Sequence, residues 1–77
     1  MIEGLLWYDA DPKRDLAEKV ARATDRYHVK FGRWPNLCYV NDAQIAATEG
    51  SAGAEIGGVR LLGAPNVLRH HFWIGED

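Results

Sequence analysis

Apolar runs alternate along the chain with short polar, glycine-bearing or proline-bearing breaks. Gly4 to Tyr8 reads Gly-Leu-Leu-Trp-Tyr, a continuous apolar run that predicts a strand with both faces occupied. Asp9-Ala10-Asp11-Pro12 stops it. An aspartate followed by proline is a helix start, with a carboxylate at the N-cap and proline at the first helical position, so the spacing predicts a helix from Pro12 to about Phe31. Leu16, Val20, Ala23, Tyr27 and Phe31 recur at steps of three or four and form one apolar stripe. Gly32 stands where a left-handed residue ends a helix, and Pro35 follows.

Leu37-Cys38-Tyr39-Val40 is a second apolar run and predicts a central strand. Strand, helix and strand then form a βαβ unit with its two strands parallel and a right-handed crossover. Asn41 or Asp42 can cap a short helical turn through Ala43–Thr48, and Gly50-Ser51-Ala52-Gly53-Ala54 reads as a loop. Glu55 to Leu62 predicts a third strand, with Gly57-Gly58 as a bulge or bend. After the turn Gly63-Ala64-Pro65-Asn66, alternation from Val67 to Ile74 predicts a fourth strand, in an antiparallel hairpin with the third. The expected fold is a two-layer α/β (α+β) domain spanning residues 1–77, in the order β-α-β-(short α)-β-β. Its four-stranded mixed sheet carries one long helix on one face.

Length sharpens this picture. A 77-residue chain forms one domain with a thin core, and such domains lean on tight packing, cross-links or a partner. Cys38 is the only cysteine, so no disulfide forms within the chain, and a single thiol fits a reducing compartment. Met1-Ile2-Glu3-Gly4 lacks the basic and apolar regions of a signal peptide, and no apolar run reaches membrane-spanning length. The expected location is the cytoplasm, with no membrane partner. Net charge is −2, unevenly spread: Lys13 to Arg33 holds seven basic residues against three acids, and the rest of the chain is acidic.

Candidate chemistry is sparse. Asp9 and Asp11, at the end of the first strand, could hold Mg²⁺, but the Asp-Pro pair is explained by capping and turn formation. His28, His70, His71 and Cys38 lack the close ligand spacing of a zinc site, and Cys38 sits in an apolar strand like a small core residue. Ser51 lies in neither a nucleophile-elbow nor a phosphate-loop motif. No catalytic residue, metal ligand or cofactor is assigned. Lys19, Arg22, Arg26 and Lys30 fall within about one quadrant of the helix. With Arg33 and Trp34 they form a candidate surface for a polyanion such as single-stranded nucleic acid, against the simpler reading of a solvated helix face.

The chain resembles the short bacterial α/β proteins of unknown function. Its C-terminal half follows an order of apolar strand, Asn41-Asp42, short helix, Ile56-Gly57-Gly58-Val59, and a strand closing on Ile74-Gly75-Glu76-Asp77. In this it is similar to the axial domain of tailed-phage capsid proteins and encapsulins. The resemblance implies a shared strand arrangement and a role in self-assembly, and no functional residue is transferred by it.

One helix cannot shield two apolar faces of a sheet. Trp7, Tyr39, His71 and Trp73 are therefore the candidate interface residues, and the expected function is a non-enzymatic interaction or assembly module. It would act as a homo-oligomer, most simply a dimer. A nucleic-acid-binding accessory protein using the basic helix face is the second expectation, and a Mg²⁺-dependent enzyme using Asp9 and Asp11 the third.

Overall fold

Among the described residues the polypeptide lays five strands and two helices in the order β1 (Gly4–Tyr8), α1 (Leu16–Phe31), β2 (Leu37–Asn41), α2 (Asp42–Ala46), β3 (Glu55–Ile56), β4 (Val59–Ala64) and β5 (His71–Gly75). The computed structural model describes residues 4–46 and 55–77, and the loop expected over Gly50–Ala54 lies outside them. The class is α+β, with one mixed sheet in the order β1-β5-β2-β4-β3.

This order corrects two expectations. β1 and β2 run parallel but are not neighbours: β5 lies between them, antiparallel to both, in a split βαβ arrangement. Nor do β4 and β5 form a hairpin, because β4 pairs with β2 in parallel and β2 separates them. The expected third strand is itself a hairpin. Ile56 pairs with Val59 across Gly57 and Gly58, whose φ angles of 57° and 82° suit the two-residue turns that match strand twist. The glycines thus reverse the chain instead of bending one strand, and the sheet has five strands, not four.

Helix α1 begins at Leu16, four residues later than Pro12. Asp15, not Asp11, is the N-cap, and its carboxylate accepts the Glu18 N–H at 2.8 Å. The stripe of Leu16, Val20, Ala23, Tyr27 and Phe31 faces the sheet as the periodicity predicts. Gly32 ends the helix at φ 72°, donating its N–H to the His28 carbonyl at 2.8 Å.

Alternation along the strands sends Cys38, Val40, Val59, Leu61, Phe72 and Ile74 toward α1, where they form one buried cluster with Val20, Ala23 and Tyr27. Ile45 of α2 joins the same cluster, so both helices cover the same side. Gly63 permits this: a Cβ there would run into the Asp42 carboxylate and lie 3.2 Å from Ile45 Cγ2.

The segment between β4 and β5 crosses the end of β2 and does not extend β5 back to Val67. Asn41 Nδ2 donates to the Val67 carbonyl at 2.8 Å, and Gln44 Oε1 accepts the His70 N–H. His70 adopts φ 67°, a left-handed corner that turns the chain into β5.

Candidate functional surfaces

The side of the sheet turned away from the helices carries the other parity of every strand. Register places Leu6 opposite Trp73, Trp73 opposite Tyr39, and Tyr39 opposite Leu62, one apolar row across four strands. Beside it Tyr8 pairs with His71, their rings 4.9 Å apart. The β4–β5 loop overhangs this row. Together Leu6, Tyr39, Val67, Leu68, His71 and Trp73 line a groove of about 460 Å³. Among the described residues no helix lies over it. Leu6 is 57% exposed, Tyr8 60% and Leu68 71%, values that leave large apolar side chains facing solvent in one contiguous patch.

Three of the four candidate interface residues, Tyr39, His71 and Trp73, come together here. The fourth, Trp7, does not. Its parity turns it to the helix side, where it packs against the core cluster at the sheet margin and borders a hollow with Arg22, Asp25, Arg26 and Val29. Leu68, which a strand alternating through Val67–Ile74 would set on the opposite face from Trp73, joins the groove because residues 65–70 form turns and not a strand. Its chain direction could not be read from a period-two pattern that ends at a left-handed histidine.

The basic helix face divides. Lys19 is buried, near enough to Asp9 for its charge to act on that carboxylate. Arg22 and Arg26 stay exposed, with Asp25 between them. Lys30 turns toward Phe31, its Nζ 5.5 Å from the ring centroid. Trp34 stacks on His28 with ring centroids 3.8 Å apart and planes nearly parallel. Arg33 pairs with Glu76 at 2.7 Å, so an acid already faces that end of the strip.

Asp9 and Asp11 form a different device from a metal site. Asp9 is buried and accepts the Asp11 N–H at 3.0 Å, and the Arg14 guanidinium reaches both carboxylates at 3.3 Å. Burial pushes the Asp9 carboxyl up, but the Asp11 N–H, Arg14 and Lys19 together outweigh it and hold it below the ordinary value. A cation from the chain itself thus occupies the place between the two acids. Among the described residues no group of three or more His, Cys, Asp and Glu side chains is placed to hold a metal ion. Cys38 is fully buried, and burial pushes its thiol up to about 12, far from a reactive thiolate at neutral pH. No helix among the described residues is long and apolar enough to cross a membrane.

No known protein family, curated protein or solved structure gives a significant match to the chain.

Proposed function

We propose that the chain is a non-enzymatic assembly module of the cytoplasm that works as a homo-oligomer, using the bare face of its sheet. The observation that carries this reading is that α1 and α2 pack on the same side, leaving Leu6, Tyr39, Leu68 and Trp73 with no described helix over them. Burying such a patch is favourable by about 25 cal/mol per Å² of apolar surface before the cost of association is subtracted. Tyrosine and tryptophan at its centre are the residue types that dominate interface energetics.

Sedimentation velocity over a micromolar concentration range tests this. The wild type is expected to exceed its monomer mass of 8.6 kDa. Trp73→Lys and Tyr39→Lys are expected to weaken association at least tenfold while far-UV circular dichroism stays unchanged. A wild type that remains strictly monomeric overturns the reading.

A polyanion-binding role has less support. Lys19 is buried, Arg22 and Arg26 share their surface with Asp25, and Lys30 turns toward Phe31. Binding to single-stranded DNA that steepens with falling salt, and that is lost on charge reversal at Arg22 and Arg26, would favour that role instead.

A further inference from the structure

The two edges of the sheet differ in kind. β3, at one edge, spans two described residues and carries Glu55, features that discourage pairing with another chain. β1, at the other, is Gly-Leu-Leu-Trp-Tyr, with neither charge nor proline. Its outer backbone groups can be assigned. The Asp9 N–H donates to the His70 carbonyl at 2.9 Å in the same register as the β1–β5 pairs. By alternation the inward-bonding residues are then Leu5, Trp7 and Asp9, and the N–H and C=O groups of Gly4, Leu6 and Tyr8 point away from the sheet.

We propose that this edge pairs with β1 of a second copy of the chain, antiparallel and centred on Leu6, joining the two five-stranded sheets into one of ten strands. Within Gly4–Tyr8, this register alone satisfies all three outward-facing residues. Leu6 meets Leu6 of the partner, and Gly4 meets Tyr8 at either end. On the helix side the same two-fold sets Leu5 against Trp7 of the other copy as a close, non-hydrogen-bonded pair.

The flank of α1 supplies an independent second match. Trp7, Arg22, Asp25, Arg26 and Val29 border a hollow of about 470 Å³ beside this edge, and Val29 is 75% exposed. A two-fold axis through Leu6 brings two such hollows together. The hollow carries both signs, Arg22 and Arg26 beside Asp25, so a small offset of the two helices across the axis sets Asp25 of one copy against an arginine of the other. Trp7, which the bare face does not use, thereby gains an interface role. This surface shares only Leu6 with the groove of the proposed function and rests on that reading only in that copies of the chain meet.

Sedimentation velocity and amide exchange separate the two. Gly4→Pro removes an outward N–H at the first residue of the strand, where proline is tolerated. Asp25→Arg sets three like charges against three. Each is expected to weaken self-association at least tenfold, and mixing Asp25→Arg with the double variant Arg22→Glu/Arg26→Glu is expected to restore it. In the wild type, the Leu6 and Tyr8 amides should exchange more slowly as concentration rises. Association that persists in Gly4→Pro and Asp25→Arg but is lost in Trp73→Lys, with fast Leu6 and Tyr8 amides throughout, overturns edge pairing and leaves the face reading standing. Slowed edge amides together with an indifferent Trp73→Lys does the reverse. A strictly monomeric wild type overturns both.

Discussion

Asp9 is the residue whose environment says most about the start of the molecule. Its carboxylate is buried, yet it is held charged by a backbone N–H, by Arg14 and by nearby Lys19. Because its pKa is lower in the folded chain than in the unfolded one, it contributes stability that is fully present above about pH 4 and is lost as pH falls through the folded value. Asp9→Asn is expected to cost about 1–3 kcal/mol at pH 7, since it weakens the link to Arg14 and leaves buried polar groups poorly matched. Urea titrations should show the gap between variant and wild type narrowing in strong acid. Sequence spacing could place Asp9 near a strand end, but not reveal that Arg14 folds back between two acids, because that contact depends on the chain turning at Pro12 before the helix begins. The buried stripe of Val20, Ala23 and Tyr27 was legible, since helical periodicity alone determines which side chains share a face.

At the scale of the element, the start of α1 shows how two good local signals compete. Asp11-Pro12 and Asp15 can both open a helix. The chain uses the first for a turn, with the Lys13 N–H on the Asp11 carboxylate at 2.9 Å, and the second as the cap. Asp15→Ala should therefore cost about 1 kcal/mol of stability, within the usual range for a lost N-cap. Asp11→Ala should leave the helix content unchanged by far-UV circular dichroism. An equal loss of helix content in both would place the helix start back at Pro12. The β3–β4 hairpin was half legible. Gly57-Gly58 announced a departure from extended backbone, but a paired glycine serves a bulge and a tight reversal alike, and only the Ile56–Val59 pairing decides between them. His70 gave no sign, because its left-handed corner sits between two long-range contacts, its N–H on Gln44 and its carbonyl on the Asp9 N–H.

For the whole molecule, strand count and helix placement could be approached from the sequence, whereas strand order could not. Periodicity reports which residues share a face; it is silent on which strands lie side by side. The insertion of β5 between β1 and β2 arises from long-range pairing of Leu5, Trp7, Cys38 and Val40 with Ile74 and Phe72. That pairing makes β5 the element that ties the two halves together. Phe72→Ala removes a fully buried ring at this junction and should cost about 3–5 kcal/mol. That is a large share of the roughly 4–12 kcal/mol expected for a domain of this length. Tryptophan fluorescence and far-UV circular dichroism should shift to lower urea together. A helix signal that kept its wild-type midpoint would show that α1 stands apart from the sheet.

The central place of β5 also bears on how the protein is made. A ribosome delivers β1 first and β5 last of the five strands, so β1 waits through the synthesis of some sixty residues for its hydrogen-bonding neighbour. Until then a nascent chain can zip β2, β3 and β4, but its opening apolar segment stays unpaired and open to chaperones or to other nascent chains. Stalled chains that stop short of His71 should remain easily cut by protease between β1 and β2, and resistance should arrive in a single step once Gly75 has cleared the exit tunnel.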